Sequence, residues 1–197
     1  KLTQKQTELF KLINDYEIIS VTGPAGTAKT FMSIYSGLKF LQDNKDGKIF
    51  LTKPIVEAGE KLGYLPGEID EKIDPYIKSY LDLFNEIIGK RITEKLFEMS
   101  KVEFEPAAYM RGRNLQNSFI IIDEAQNYSM SQLMTLVTRK HKSSKIILIG
   151  DYLQDDRFNN KNNQFKIFNE VILKNVTKTH HFKFGLNDIM RDKIIIE

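Results

Sequence analysis

One short stretch near the start of the chain runs Gly23-Pro24-Ala25-Gly26-Thr27-Ala28-Lys29-Thr30. It follows an apolar run at residues 18–21 and precedes a helical pattern at residues 31–41. A strand that turns through a glycine-rich loop into a helix can cradle phosphate, because glycines let backbone N–H groups approach the phosphate oxygens. The N-terminus of the helix adds partial positive charge at the same place. The sequence therefore predicts a nucleotide site at this loop.

The spacing of this stretch is that of the P-loop, G-x-x-x-x-G-K-S/T, with one departure. In that pattern Lys29 reaches the β- and γ-phosphates, and the hydroxyl of Thr30 is a ligand for Mg²⁺. Ala28 stands where the second glycine is expected. If this position needs a positive φ, alanine costs about 1 kcal/mol there; if φ is negative, the methyl group has only to avoid the phosphate. The sequence leaves both conformations open, and residues 23–30 are predicted to bind the nucleotide.

Length and composition predict one domain of 197 residues, with a net charge of +3. That charge is too small to indicate nucleic-acid binding by itself. The chain contains no cysteine, which excludes disulfides, thiolate metal ligands and a cysteine nucleophile within it. No apolar run approaches the roughly 20 residues of a membrane span, and Lys1 opens a polar stretch rather than a signal peptide. We expect a cytoplasmic protein without membrane contact. Because the sequence begins with Lys1 rather than methionine, we also expect a missing N-terminal segment.

The hydrophobic pattern predicts helices that alternate with strands, which indicates an α/β fold with a mostly parallel sheet. The predicted strands are residues 18–22, 48–53, 102–109, 119–123, 145–149 and 178–184. The predicted helices are residues 3–14, 31–42, 75–88, 92–99 and 165–173. Thr3 is the predicted N-cap of the first. A further helix is predicted to start at a cap of Ser129 or Ser131 and to end near residue 139. Aromatic residues of the third helix, such as Tyr80, are interpreted as core. Residues 54–75 are predicted as a long functional loop, residues 159–163 as an exposed loop, and Asn187 as the cap of a final short helix.

Two further strands end in polar residues that suit phosphate chemistry. Asp123 follows an apolar run and suits an outer partner for Mg²⁺, and Glu124 can orient or polarise the attacking water. Gln154 follows the next strand and can contact the γ-phosphate and the water. Ligands of parallel α/β sheets bind at the carboxyl ends of the strands, so we expect these residues to meet Lys29. The plainer interpretation of Asp123 and Glu124 is a charged cluster at a helix N-terminus.

The motifs occur in an order that resembles the motor core of superfamily 1 helicases. They are Lys29-Thr30, Asp123-Glu124-Ala125-Gln126 and Gly150-Asp151-x-x-Gln154. The intervening stretches resemble, more narrowly, the PhoH family of ATPases. The similar pieces are Lys53-Pro54-x-x-x-x-Gly59-Glu60-x-x-Gly63-Tyr64-Leu65-Pro66-Gly67, Asp74-Pro75-Tyr76 and Tyr109-Met110-Arg111-Gly112-Arg113. The resemblance covers most of residues 1–157, whereas residues 158–197 match weakly.

This resemblance implies a P-loop NTPase with a single RecA-like core, spanning residues 1–197, that uses ATP and Mg²⁺. It places the strand before Gly150 between the P-loop strand and the strand before Asp123. It also implies that Gln6 contacts the adenine edge, in the manner of a helicase Q-motif. As an alternative, Gln6 is simply a solvated helix residue.

An arginine commonly neutralises the charge that develops during phosphoryl transfer. In two-core helicases a second core supplies it, but this chain has length for one core. The candidates here are Arg111, Arg113 and Arg191. The arginine would come from a neighbouring subunit or from the C-terminus of the same chain. Residues 187–192 resemble the closing segment of the family, which has an arginine at the place of Arg191. Each is alternatively a solvated surface charge. We expect a homo-oligomer, with a hexameric ring as the candidate form.

Basic residues of the long loop and of the later arginine pair can line a path for RNA or single-stranded DNA. They are Lys53, Lys61, Arg111 and Arg113, with Tyr64 and Tyr109 as candidates for base stacking. The alternative is a solvated, charged loop in which Tyr64 packs against the protein.

Three functions remain open at this stage. The first is an Mg²⁺-dependent ATPase that is coupled to RNA or single-stranded DNA. The second is an ATP-binding switch or scaffold whose nucleotide state controls assembly. Glu124 and Gln154 favour the first, because a protein that only binds ATP needs neither. The third, a small-molecule kinase, requires an acceptor site that no motif indicates.

Overall fold

The protein is built around a sheet of six parallel strands. In the computed structural model, residues 2–54, 69–105, 107, 115–154 and 163–190 are described. The strands are β1 (Ile18–Thr22), β2 (Lys48–Thr52), β3 (Val102–Phe104), β4 (Ser118–Ile122), β5 (Lys145–Gly150) and β6 (Thr179–Lys183). Their order across the sheet is β3-β2-β4-β5-β1-β6. The predicted α/β fold is confirmed, and β5 lies between β1 and β4 as the family resemblance implied.

The central strands are buried on both faces. All five residues of β1 and all five of β4 are buried. Along β4, Phe119 and Ile121 enter one hydrophobic cluster, whereas Ile120 and Ile122 enter a second. Successive side chains of a strand point to opposite faces, so these clusters form the two layers of core on either side of the sheet. Double burial explains why the strands are continuous apolar runs rather than alternating patterns.

Helices cover both faces of the sheet. They are α1 (Gln4–Asp15), α2 (Lys29–Asp43), α3 (Ile69–Ile88), α4 (Lys90–Glu98), α5 (Met130–Thr138) and α6 (Gln164–Ile167). Buried residues of α1, α2 and α3, among them Leu9, Met32 and Phe84, belong to the first cluster. Leu133 of α5 and Phe165 of α6 belong to the second. The chain continues from α6 as one π-helical segment, Phe168–Ile172, within the predicted helix 165–173. No helix in the described ranges combines the length and apolar character needed to cross a membrane.

Polar side chains cap three helices. Thr3 and Gln6 form a reciprocal capping box at the start of α1, as the predicted N-cap requires. Ser129 and Gln132 form the equivalent box at α5, which decides between the two serine candidates. Asn163 is 4% exposed and its side chain accepts a hydrogen bond from the N–H of Lys166. The predicted exposed loop at residues 159–163 is therefore wrong at Asn163, and residues 159–162 lie outside the described residues.

Two predicted helix boundaries are wrong. Helix α3 begins at Ile69, so the predicted loop at residues 54–75 ends earlier and the helix runs through Pro75. Isoleucines at 69, 73 and 77 continue the helical spacing of the sequence across Pro75, a signal that the predicted boundary left out. Asn187 does not cap the last turn, Leu186–Asp188. There the Asp188 carboxylate accepts a hydrogen bond from the N–H of Gly185.

Candidate functional site

The loop between β1 and α2 depends on glycine at its first position. A Cβ at Gly23 would lie 2.7 Å from the Cβ of Phe184 and 2.9 Å from its carbonyl oxygen. Phe184 approaches this closely because its N–H donates to the carbonyl of Thr22, at the carboxyl end of β1. Gly26 follows with a φ of +80°, which glycine adopts without strain.

Ala28 adopts the left-handed conformation that the P-loop pattern assigns to glycine. Its φ is +62° and its ψ is +28° at the N-cap of α2. Of the two conformations that the sequence left open, the positive φ is therefore correct. An L-residue with a Cβ is strained there by about 1 kcal/mol. Alanine offers no side-chain acceptor, so the first N–H groups of α2 are not capped by this residue.

The ammonium group of Lys29 lies over its own loop. Its Nζ donates to the carbonyl of Gly23 at 2.7 Å and to that of Pro24 at 2.8 Å. Burial lowers the pKa of Lys29, while the carboxylates of Asp151, Asp123 and Glu124 act in the opposite direction. Three acidic side chains from two other strand ends therefore act on the lysine: Asp123 and Glu124, which the sequence predicted here, and Asp151, which it did not.

The carboxylate of Asp123 is held from three sides. Its Oδ2 accepts a hydrogen bond from the hydroxyl of Tyr80 at 2.8 Å and lies 3.5 Å from the hydroxyl of Thr30. Its Oδ1 accepts from the N–H of Glu124 at 2.8 Å. Burial and the neighbouring Glu124 raise the pKa of Asp123. Burial likewise raises the pKa of Tyr80 well above its usual range, so this hydroxyl stays protonated and donates.

These oxygens suit a divalent cation. Thr30 and Asp123, the two predicted metal-site residues, come together through one close oxygen pair. Hydroxyl and carboxylate oxygens are the ligand type that Mg²⁺ prefers. The buried carboxylate beside a second acidic residue concentrates negative charge that a cation would neutralise. The donor set therefore fits Mg²⁺.

Glu124 occupies a strained backbone position at the end of β4. Its φ is +50° and its ψ is +44°, values that a residue with a side chain adopts at a cost. Its Oε2 accepts a hydrogen bond from the amide of Gln126 at 2.7 Å, and its Oε1 lies 3.9 Å from Nζ of Lys53. Lys53, predicted for nucleic-acid contact, thus lies beside the predicted catalytic carboxylate.

Gln126 links the ends of β4 and β5, a role that the sequence analysis missed. Its Oε1 accepts from the N–H of Asp151 at 3.0 Å, and its Nε2 donates to the carbonyl of Gln154 at 3.1 Å as well as to Glu124. The side chain is 1% exposed. A Cβ at Gly150 would lie 2.6 Å from its Oε1, so this glycine permits the approach. The available signals were the fourth residue of the Asp-Glu-Ala-Gln motif and the glycine before Asp151.

Most of the predicted nucleotide-site residues converge on one cavity of about 900 Å³, although Gly23 and Pro24 do not line it. The loop residues from Ala25 to Thr30 line it, together with Asp123, Glu124, Asp151 and Gln154. The side chain of Gln154 is exposed, while its backbone carbonyl is fixed by Gln126. Lys29, the adjacent pair Asp123 and Glu124, and Gln154 come from three distant parts of the chain and share one site.

Gln6 lines the same cavity from helix α1. It is 4% exposed, so the alternative of a solvated helix residue is wrong. Its Oε1 accepts from the N–H of Thr3, and its Nε2 donates to the sulfur of Met190 at 3.0 Å. The N–H of Met190 donates to the carbonyl of Gly26 at 3.0 Å. The segment that leads to Arg191 is therefore joined to the loop.

Several predicted residues lie outside the described residues. They are the arginine candidates Arg111, Arg113 and Arg191, the loop lysine Lys61, and the stacking candidates Tyr64 and Tyr109. Their predicted roles remain predictions.

The chain is similar along nearly its whole length to curated bacterial proteins. A PhoH-like protein of a Synechocystis species is 37% identical over 193 residues, covering 98% of this chain and 58% of that protein. A PhoH-like protein of Bacillus subtilis is 35% identical over 193 residues, covering 98% of this chain and 60% of that protein. The chain therefore spans less than two thirds of the length of these relatives.

Solved structures share the fold at low sequence identity. The large terminase of a thermophilic bacteriophage, solved in complex with ADP, matches with a TM-score of 0.54 and 11% identity, over 99% of this chain and 48% of that chain. The helicase MrfA bound to DNA matches with a TM-score of 0.53 and 10% identity, over 93% of this chain and 27% of that chain. At such identities the likeness shows the fold alone, which is that of P-loop NTPases.

The match to a protein family extends over the full sequence. A family model described as PhoH-like protein matches residues 1–197, and the relatives above bear the same name. The resemblance predicted from the motifs is therefore confirmed: the chain belongs to the PhoH-like protein family.

Proposed function

We propose that residues 1–197 act as one ATPase domain, which binds and hydrolyses ATP with Mg²⁺ and couples hydrolysis to RNA or single-stranded DNA. The single observation that carries this proposal is the convergence of Lys29, Asp123, Glu124 and Gln154 on one cavity of about 900 Å³. Ligand pockets of this size hold molecules as large as a nucleotide. The ADP in the related terminase structure supports a nucleotide as the ligand.

Phosphate binding requires Lys29 to change partners. Its Nζ leaves the carbonyls of Gly23 and Pro24 and donates to phosphate oxygens, which form stronger, charge-assisted hydrogen bonds. The N–H groups at the start of α2 donate to the same phosphates. Gln6 contacts the adenine edge through Nε2, after giving up the sulfur of Met190.

Thr30 and Asp123 hold the metal ion of this site. When bound there, Mg²⁺ neutralises charge on the β- and γ-phosphate oxygens. The hydroxyl of Thr30 would be a ligand of the ion, and the carboxylate of Asp123 would be its outer partner. Their 3.5 Å separation supports joint action on one ion.

Glu124 orients the attacking water and accepts its proton. Gln126 fixes one carboxylate oxygen, and the second lies toward Lys53 at 3.9 Å. Gln154 contacts the water and the γ-phosphate from the β5 side. A protein that only binds nucleotide gains nothing from this strained, hydrogen-bonded carboxylate, which favours hydrolysis over a switch or scaffold.

The experiment for hydrolysis is phosphate release from ATP by wild type and Glu124→Gln. We expect turnover to fall by about 10³-fold, with affinity for a non-hydrolysable ATP analogue kept within about twofold of wild type. Glu17→Gln is the matched control, because the same chemical change at the opposite end of the sheet leaves turnover intact. Equal turnover in Glu124→Gln removes that residue from the mechanism. No phosphate release by wild type, with analogue binding retained, favours the switch or scaffold.

Coupling to nucleic acid is tested by adding single-stranded RNA or DNA to the same assay. We expect stimulation of phosphate release, since Lys53 lies beside Glu124 and the related helicase MrfA was solved with DNA. A Lys53→Ala variant should lose part of this stimulation. Unchanged turnover with either strand type contradicts the coupling.

We further propose self-association, with Arg191 neutralising the charge that develops on the γ-phosphate. The contact between Met190 and Gly26 supports this candidate, because it joins the preceding residue to the P-loop. Mixing Arg191→Ala subunits with Lys29→Ala subunits restores turnover if the arginine acts in a neighbouring subunit. If Arg191→Ala alone loses turnover and mixing does not restore it, the arginine acts in its own subunit; full turnover in Arg191→Ala removes it from the mechanism. A monomer in sedimentation, active at full rate, contradicts self-association.

A further inference from the structure

One buried tyrosine outside all the motifs contacts the metal site. Tyr80 lies on α3, is 2% exposed, and donates its hydroxyl to Oδ2 of Asp123 at 2.8 Å. Sequence analysis interpreted Tyr80 as a core residue, and its ring does pack in the core, 5.9 Å from the ring of Phe104. The hydroxyl has the additional contact, and it reaches the carboxylate through which the proposed function holds Mg²⁺.

The contacts of Asp123 leave its carboxylate little freedom to rotate. Oδ1 is tied to the N–H of Glu124, and Oδ2 is tied to Tyr80. The hydroxyl of Thr30 lies 3.5 Å from the same Oδ2. A carboxylate oxygen can accept more than one hydrogen bond, so the bond from Tyr80 leaves Oδ2 able to accept from water around an ion at Thr30.

We propose that Tyr80 is a positioning residue for the divalent cation, which it serves by holding Oδ2 of Asp123 toward the hydroxyl of Thr30. This inference rests on the proposed function, because it assigns the cation to the same site. Mutation of a group in the outer shell of a metal site typically changes metal affinity by about 10- to 100-fold.

The position of Tyr80 is set by helix packing. Phe84, one turn further along α3, is fully buried, and its ring meets that of Phe97 at 5.7 Å. The hydroxyl therefore reaches Asp123 while α3 is packed beside α4 in the core. A core tyrosine with no role at the metal site would affect stability alone, and this difference separates the two interpretations.

Tyr128 provides a matched control. It is also fully buried, and burial, with a smaller contribution from the charge of Asp123, raises its pKa. Its hydroxyl, however, pairs with that of Thr52 at 3.3 Å. Tyr80→Phe and Tyr128→Phe each remove one buried hydroxyl and keep the ring. Both variants should lose some stability in urea denaturation.

The test measures binding of a non-hydrolysable ATP analogue by calorimetry, with EDTA and over a series of Mg²⁺ concentrations. For Tyr80→Phe we expect the Mg²⁺ concentration at half-maximal enhancement to rise by about tenfold. Affinity in EDTA should stay within about twofold of wild type, and Tyr128→Phe should keep the wild-type Mg²⁺ dependence.

Three results overturn the inference. A wild-type Mg²⁺ dependence in Tyr80→Phe refutes the positioning role while the proposed function stands. An equal shift in Tyr128→Phe shows a general effect of losing a buried hydroxyl. No binding of the analogue by wild type overturns the proposed function and the inference together.

Discussion

Two partly buried lysines lie near opposite ends of the sheet, and their partners differ in kind. Lys145, the first residue of β5, donates to the carbonyls of Ile13, Asn14 and Tyr16 at the end of α1. Lys29 donates to two carbonyls of its own loop. Burial lowers the pKa of both ammonium groups. A helix C-terminus is a permanent partner for a cation, whereas a loop beside a cavity allows the cation to exchange carbonyls for a ligand.

The carboxylates at the two ends differ in the same way. Glu17, directly before β1, pairs with Lys140 at 2.6 Å and with Lys178 at 2.8 Å. These hydrogen bonds lower the pKa of Glu17 to about 2. Burial instead raises the pKa of Asp123 at the other end. The amino ends of the strands thus neutralise their charges within the protein, whereas the carboxyl ends hold charges that a ligand would neutralise.

The lysine comparison predicts the largest effects. Lys29→Ala should weaken binding of an ATP analogue by about a hundredfold, because it removes charged hydrogen bonds to phosphate, and should also lose about 1 kcal/mol of unfolding free energy, since the carbonyls of Gly23 and Pro24 lose their donor. Lys145→Ala should keep the affinity and lose about 1–2 kcal/mol of unfolding free energy, since three carbonyls at the end of α1 lose their donor. Calorimetry and urea denaturation measure the two quantities. Similar losses of affinity in both variants would break the distinction between the two ends.

Gln126 sharpens the comparison, because it joins two strand ends at the candidate site. Gln126→Ala should lower the free energy of unfolding by about 2 kcal/mol, since the buried N–H of Asp151 loses its acceptor, and should also lower turnover. Gln132→Ala is the control: that side chain accepts from the N–H of Ser129 at an exposed helix start. We expect it to cost about 0.5 kcal/mol without affecting turnover. Intact turnover in Gln126→Ala would limit the link to a structural role.

Acid should lower the free energy of unfolding through Glu17, at the amino end of the sheet. Its pKa in the folded protein lies below the ordinary value of 4.5, so its ion pairs stabilise the fold above that value. That stabilisation is lost as the pH falls through about 2. In Glu17→Gln, the decrease in unfolding free energy between pH 4.5 and pH 2 should be shallower than in wild type. Parallel pH profiles for the two proteins would show that these ion pairs contribute no pH-dependent stability.

Backbone strain gives the smallest expected effect. Ala28→Gly should raise the free energy of unfolding by about 0.5 kcal/mol, because relief of the positive φ exceeds the added freedom of the unfolded chain. Asn117, with a φ of +47°, is the control outside the site, since asparagine tolerates this conformation and Asn117→Gly should gain nothing. Urea denaturation measures the change in unfolding free energy for both variants. Destabilisation by Ala28→Gly would contradict the assigned strain.

Most of the fold could be predicted because its signals are local. Continuous apolar runs identified the central strands, and the capping residues Thr3 and Ser129 marked helix starts. Pro75 misled the prediction of α3, because proline is a strong local signal for a helix start, whereas the helix begins at Ile69 and runs through it. The φ of Ala28 depends on the path of the whole loop, so the sequence could give only its two alternatives.

The candidate site was predictable where residues follow strands and unpredictable where side chains cross between elements. Asp123, Glu124 and Gln154 follow from the rule that ligands bind at the carboxyl ends of parallel strands. The hydrogen bonds by which Gln126 links the ends of β4 and β5 require these strands to be neighbours in the sheet, although 22 residues separate them in the chain. Tyr80 reaches Asp123 only after α3 packs, and its helical spacing indicates core packing equally well.

The most direct test of the proposed site is a crystal structure of the protein with Mg²⁺ and a non-hydrolysable ATP analogue. The proposal predicts that Nζ of Lys29 leaves the carbonyls of Gly23 and Pro24 for phosphate oxygens. It also predicts Mg²⁺ between the hydroxyl of Thr30 and the carboxylate of Asp123. An analogue bound elsewhere, or Lys29 still on its own loop beside bound phosphates, would contradict it.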